Sequence, residues 1–433
     1  MQKKSSTESI QRIPPSANEI QVNFCKNPSC DNFGIPAINT SQKRKDSPKD
    51  QYTAIAHGKK KPAIKCNLCG ETFVMKSNVG INEELLRLSE YLQPVSEPSC
   101  TNIECENYHI GISNGKSEYY SFGKTSGGNQ RYRCKKCGKT FTVTKSTSGQ
   151  RLPHKNKLIF NLLMNKMPFK RICEVAEISP KTLYTKIDFI HTQCLKFAAE
   201  RENSFFRNKT VQRAYISVDR QDYVINWSHR EDKRNIKLSA VGSADNESGY
   251  VFGMNLNYDP RFSHTEIETL ADENSDCDKR LPFRQFARLW LECDYKMSID
   301  KAAMNSRQSA KLSDLISESY EETERRNDTE ISEIMSEIVR LPEDGMQVHA
   351  EYTLYGHFQF LKTLLSKTTK VRFFLDQDSG IRAACLSAFH DRITDRTCDV
   401  FYVRINKALT VDEKKKSLQR TKLDTIQSRW KLP

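Results

Sequence analysis

Apolar and polar positions divide the chain into stretches of different period. Tyr215-Ile-Ser-Val218-Asp219 and Val371-Arg-Phe-Phe-Leu-Asp376-Gln-Asp378-Ser-Gly380 are apolar, β-rich runs that end in acids. Each reads as a strand that delivers a carboxylate to one edge of a sheet. Ala214 to Asp219, Ile236 to Ala244 and Gly249 to Asn257 predict three consecutive strands in an antiparallel meander, with Asp245 to Gly249 as the last turn. Tyr352 to Leu365 carries Leu354, Phe358, Leu361 and Leu365 at helical spacing. A strand to Asp376, a helix from Ile381, a strand over Asp399 to Ile405 and a last helix from Val411 complete an order of β-β-β, insertion, α-β-α-β-α.

Between these halves, Phe283, Phe286, Leu289, Trp290 and Leu291 form one amphipathic patch. Ile331, Ile334, Met335, Ile338 and Val339 form another, and both read as a helical insertion. Upstream, Leu158, Ile159, Leu162 and Leu163 predict a first helix of a three-helix unit, and Ile172, Val175 and Ala176 a second. Ser179 suits the N-cap and Pro180 the first position of the third. There Leu183, Tyr184, Ile187 and Ile190 are expected inward, and Lys181, Thr182, Thr185 and Lys186 outward. That is a helix-turn-helix pattern whose third helix would enter a DNA groove.

The cysteines add a repeat. Cys25-x4-Cys30 with Cys66-x2-Cys69 is followed by Cys100-x4-Cys105 with Cys134-x2-Cys137. Cys30-Asp-Asn-Phe33 matches Cys105-Glu-Asn-Tyr108, and Cys69-Gly-Glu-Thr-Phe73 matches Cys137-Gly-Lys-Thr-Phe141. Four thiolates per copy suit one tetrahedral Zn²⁺ each, so two zinc ribbons with structural ions are expected. The glycine after each second pair permits a tight turn, and Phe73 and Phe141 are expected as small cores beneath the metals. A polar, lysine-rich insert, Ser41 to Lys61, is expected to be mobile, and residues 1–21 to be a disordered tail.

Charge then separates the regions. The chain of 433 residues carries 68 Lys and Arg against 54 Asp and Glu, a net +14. Between Glu118 and Glu174 there is no acid and there are thirteen bases, which marks a nucleic-acid face. Arg131, Arg133, Lys135, Lys136 and Lys139 surround the second cysteine knuckle. From Thr265 to Gly345, twenty acids face eleven bases. A polar start and the lack of a long apolar run predict a soluble, cytoplasmic protein, nucleoid-associated if it binds DNA, with no membrane partner and mostly reduced cysteines.

The element order fits a ribonuclease-H-like plan, in which the fourth strand pairs beside the first and brings Asp219 next to Asp376. Adjacent carboxylates call for a hard cation, Mg²⁺ or Mn²⁺. Glu413 is the candidate third acid, with Asp412 beside it, although Thr410-Val-Asp-Glu413 also reads as a capping box. Asp222 competes with Asp219, and Asp378 with Asp376. The expected architecture is multidomain α+β: ribbons at 22–80 and 97–148, helix-turn-helix at 152–200, core at 211–260 and 346–433, insertion at 261–345.

Over roughly residues 22–420 this combination resembles DDE-type insertion-sequence transposases. Val371 to Ala384 is similar to the family's second-aspartate motif. The resemblance implies cleavage and strand transfer on double-stranded DNA, at element ends and target, by a homo-oligomer in a synaptic complex. It assigns Asp219, Asp376 and Glu413 as the acids. The insertion falls earlier than in the family, and the chain stops about twenty residues after Glu413. A non-catalytic DNA-binding regulator or an inactive copy is the alternative.

Overall fold

A computed structural model describes residues 12–38, 51–55, 61–93, 97–113, 115–226, 232–305, 335, 337–376 and 378–403. The fold is mixed α/β with several sheets. It divides into two units: residues 1–88 with 210–433, and residues 89–209. The first cysteine repeat therefore belongs with the C-terminal sheet, not with the second repeat.

In the first unit, β1 (Tyr52–Ile55), β2 (Ala63–Cys66) and β3 (Thr72–Val74) form an antiparallel sheet under the cysteines. Part of the insert expected to be mobile is thus a strand. The tail expected to be disordered is ordered from residue 12: Ile13 is buried against Tyr52 and Ile64, and Ala17 bridges Ile20. Helix α1 (Asn78–Ser89) follows.

The second unit begins with a second antiparallel sheet, β4 (Tyr119–Lys124), β5 (Gln130–Cys134) and β6 (Thr140–Val143). Helices α2 (Asn156–Met164), α3 (Phe169–Ala176) and α4 (Pro180–Asn208) then pack around Ile159, Ile172, Ala176 and Leu183. The Ser179 hydroxyl accepts the Thr182 amide at 3.2 Å, and Pro180 starts α4 as expected. Leu158, Val175 and Tyr184, expected inward, are instead exposed.

The first unit resumes with β7 (Val211–Ile225), β8 (Ile236–Asp245) and β9 (Val251–Leu256), an antiparallel meander. Next, β10 (Tyr258–Ser263) pairs with β11 (Asp344–Gln347), and the acidic insertion leaves and returns through this two-stranded ribbon. Within it lie α5 (His264–Glu273) and α6 (Glu292–Asn305). Residues 283–291, expected as an amphipathic helix, form turns that end in a bridge from Leu289 to Val348. Trp290 packs with Tyr295, Met335 and Val339, whereas Ile331 and Ile334 lie outside the described residues. Cys277 and Cys293 form a disulfide.

Then come α7 (Ala350–Leu364), β12 (Thr368–Asp376), α8 (Ser379–Ala388) and β13 (Cys398–Val403). The five-stranded sheet has the order β13-β12-β7-β8-β9. β12 runs parallel to both neighbours. Val371, Phe373 and Leu375 alternate onto the face with Ala214, Ile216 and Val218. Phe373 meets Phe358 of α7 and Phe389 just after α8, so the two helices lie on that face.

The first cysteine module is fastened to this sheet. Lys76 pairs with Glu351 at 2.7 Å, and the Ser77 amide donates to the Tyr352 hydroxyl at 3.1 Å. Arg87 donates to the carbonyls of Leu256 and Tyr258. Arg288 reaches Glu83 and Glu84 of α1 at 3.1 Å each and Asp259 of β10 at 2.9 Å. Phe24 lies 4.9 Å from the His390 ring.

Candidate metal centres

Strand alternation and register bring two acids together. Leu375 pairs with Val218 across the parallel β12–β7 ladder, and the next residue on each strand is an aspartate: Asp376 and Asp219. Neighbouring strands lie about 4.8 Å apart. Both acids sit on the face opposite α7 and α8, and both are exposed. One correction is needed: Asp219 does not end its strand. β7 continues to Ile225 against β8, and Asp219 marks the level at which β12 stops.

The competing acids have other work. Asp222 alternates onto the opposite face, where it accepts from the Ser239 hydroxyl and pairs with Lys237 at 3.2 Å. Asp378 caps α8, accepting the amides of Gly380 and Ile381 at 2.7 and 3.1 Å, and takes an ion pair from Arg220 at 3.2 Å. Glu413 lies outside the described residues.

Two further centres are complete. Cys25, Cys30, Cys66 and Cys69 bring their sulfurs within 4.8 Å of one another, as do Cys100, Cys105, Cys134 and Cys137. Each set of four thiols can hold a structural Zn²⁺. Gly70 and Gly138, at φ +79° and +73°, supply the left-handed turns of the knuckles. Phe73 and Phe141 are buried beneath the clusters as expected. Burial works to raise the Cys66 thiol, but the backbone amides of Cys69 and Leu68 and the Asn32 side chain outweigh it and hold it at about 7. Cys134 is held at about 7 in the same way by the amides of Cys137 and Lys136 and by Asn107. Burial instead pushes Cys100 up to about 12.

Two supporting pairs were missed by sequence reading. Asn32 donates to the Cys66 sulfur at 3.2 Å, and Asn107 to the Cys134 sulfur at 3.4 Å. Tyr52 and Tyr119 accept the amides of Cys25 and Cys100. The Asn signal was already in the matched Asp-Asn and Glu-Asn dipeptides. The tyrosines sit fourteen and fifteen residues before Cys66 and Cys134, behind inserts of unequal length.

Of the basic candidates, Arg133, Lys135, Lys136 and Lys139 are exposed and Arg131 is half-buried. Lys136 pairs with Glu106 at 2.9 Å and Lys139 donates to Asn102 at 3.4 Å. Lys181 and Thr185 are exposed on α4, and Thr182 is half-buried in the cap. Lys186 contradicts its expected outward placement. It is 3% exposed and donates to the Gln150 side chain and the Leu152 carbonyl at 3.1 and 3.3 Å. The ammonium leaves the solvent because those two acceptors receive it, while the stem covers the three-helix core.

Among the described residues, no helix is long and apolar enough to cross a membrane. No protein-family model, curated protein or solved structure matches the chain.

Proposed function

We propose that the chain is a DDE-type DNA transposase, built on a ribonuclease-H-like core, that binds element ends and cuts and joins phosphodiesters. The observation that carries this reading is the placement of Asp219 and Asp376 on adjacent parallel strands, on one face and both exposed. Two carboxylates side by side repel each other unless a cation lies between them, and their hard oxygens suit Mg²⁺ or Mn²⁺. When bound, such ions activate a water or 3′-hydroxyl and stabilise the leaving oxygen. The protein's own contribution is position. β7 is held on both sides by β8 and β12, so Asp219 sits on a strand that cannot swing. Asp378, paired with Arg220, caps the helix that follows β12. Glu413 is kept as the proposed third acid.

The strand order, with the fourth core strand between the first and fifth, supports the ribonuclease-H-like assignment. Two cysteine modules and a three-helix unit with an acid-free, basic approach support DNA binding. Synapsis of two ends calls for at least two protomers.

The test is Mg²⁺- or Mn²⁺-dependent cleavage of DNA carrying the ends that flank the gene, comparing wild type with Asp376→Asn. Nicking by wild type and none by the variant, with equal duplex binding, is expected. Tight, salt-sensitive binding by both without cleavage would move the chain to the class of non-catalytic DNA-binding regulators.

A further inference from the structure

The sheet of the second cysteine module has two unlike faces. Tyr119, Tyr132 and Phe141 point to the cysteines and form its core. On the other face, Tyr120 pairs across the ladder with Arg133, and Arg133 in turn with Thr140. Arg131 stands 5.2 Å from the Phe122 ring, Arg133 stands 5.9 Å from it, and Lys135 stands 4.8 Å from the Tyr120 ring. The rings are not buried by these contacts: Tyr120 is 58% and Phe122 44% exposed.

The ribbon fold does not require this face. The first module starts in the same register, with Tyr52 opposite Cys66 as Tyr119 is opposite Cys134, and Thr53 opposite Lys65 as Tyr120 is opposite Arg133. Counted along each strand from the tyrosine and the cysteine, the positions that match Tyr120, Phe122, Arg131 and Arg133 are Thr53, Ile55, Ala63 and Lys65. The same scaffold thus folds with neither ring and with one cation. Exposed aromatics interleaved with arginines have a cost in solvation that a partner would remove.

We infer that this face binds unpaired bases of a DNA strand by stacking them on Tyr120 and Phe122, while Arg131, Arg133 and Lys135 hold the phosphates. Charge complementarity selects a polyanion: residues 119–173 contain thirteen bases and no acid. The rings select its form. In a duplex the base faces are stacked on one another, leaving edges and phosphates to a protein. A flat ring flanked by guanidinium groups gains most from a base that has left the stack. The inference rests on the nucleic-acid part of the transposase reading and is independent of the acidic pair.

The experiment measures fluorescence anisotropy of the full-length, zinc-loaded protein with a labelled oligothymidine and with a blunt duplex of equal length. Tyr120→Ala with Phe122→Ala weakens the single strand by roughly tenfold or more and leaves duplex affinity in place. Tyr120→Phe with Phe122→Tyr keeps both rings and keeps single-strand affinity. An alanine variant that retains its zinc and binds the single strand like wild type overturns the proposal. So does an equal loss on duplex and single strand, or a loss in the ring-preserving variant. A wild type that binds duplex but no single strand sinks this face alone and leaves a protein as its occupant. A wild type that binds neither sinks the DNA reading itself, and this inference with it.

Discussion

Tyr119 repeats Tyr52. In each cysteine module the phenol accepts the amide of the first cysteine, at 3.2 Å for Cys100 and 3.0 Å for Cys25. Each hydroxyl also faces two carbonyls: Asn107 and Ile110 at 2.9 and 2.5 Å, Asn32 and Ile35 at 3.0 and 2.6 Å. The phenol therefore joins the loop of the first cysteine pair to the sheet beneath it. Tyr119→Phe leaves a buried amide without its acceptor, a change that costs about 1–3 kcal/mol. Urea unfolding followed by zinc release should show the loss, with an equal one for Tyr52→Phe. Release at wild-type urea concentrations would mean that the four sulfurs alone hold the loop.

Asn32 and Asn107 act on the sulfurs themselves. Donors outside the ligand set usually contribute 10- to 100-fold in metal affinity. Asn107→Ala should weaken zinc retention in a chelator competition by roughly that factor, and Asn32→Ala likewise. Both variants keep all eight cysteines, so zinc stoichiometry at saturation should stay unchanged.

The first module should matter to the five-stranded sheet, and the second should not. Structural zinc supplies the folding energy of such small units. The first is tied to α7 and β10 through Lys76–Glu351, Ser77–Tyr352 and the Arg288 cluster. Cys66→Ser should therefore lower the melting temperature of the first unit by several degrees, given about 2–4 °C per kcal/mol for domains of roughly 150–250 residues. Cys134→Ser should leave that transition in place. Calorimetry of the two variants separates the outcomes, and identical melting of the first unit in both would show that the fastening carries no stability.

The same cluster sets an acid limit. Burial alone would raise the Asp259 carboxyl, but Arg261 and Arg288 outweigh it and hold it at about 2. Its ordinary value is about 3.9. A depressed carboxylate contributes stability that is full above about pH 4 and is lost as the pH falls towards 2. Asp259→Asn should flatten the stability curve of the first unit across that window. Arg288→Ala should cost about 1–3 kcal/mol at neutral pH, because Glu84 and Asp259 each lose one buried partner and keep Arg87 and Arg261 as counter-ions. Unfolding curves between pH 2 and 7 check both.

What was legible in the sequence was local. Cysteine spacing and the residues beside it announce the two clusters, since ligands of one ion lie in short pairs. Apolar alternation announces β12, because Val371, Phe373 and Leu375 all face one layer. What was not legible depends on distant partners. β7 runs six residues past Asp219 because β8 pairs with it, and the polar run Asp219 to Tyr223 gave no sign of that. The charge of Lys186 predicts an outward place, yet the residue lies three positions after buried Leu183 on the same helical stripe, and Leu152 and Gln150 receive its ammonium. The ring of Tyr184 predicts an inward place, yet its position is off that stripe and it is exposed. The Arg288 cluster joins residues about two hundred positions apart, which no local pattern reports.

Asp376 and Asp378, two residues apart, should fail in different ways when changed. Asp378 is 8% exposed, caps α8 and pairs with Arg220. Asp378→Ala removes a cap worth about 0.5–2 kcal/mol and the ion pair with Arg220, so melting should fall while slow cleavage remains. Asp376 is exposed at the end of β12, on the face it shares with Asp219. Asp376→Asn and Asp219→Asn should keep wild-type melting and salt-sensitive duplex binding, with cleavage lost. Asp222→Ala belongs with Asp378→Ala, since it leaves Lys237 buried beside Ser239. Melting temperature and metal-dependent nicking, measured on all four variants, sort them into two pairs. If Asp378→Ala abolished nicking at unchanged melting while Asp376→Asn did not, the second acid of the pair would be Asp378 and the cap its secondary role.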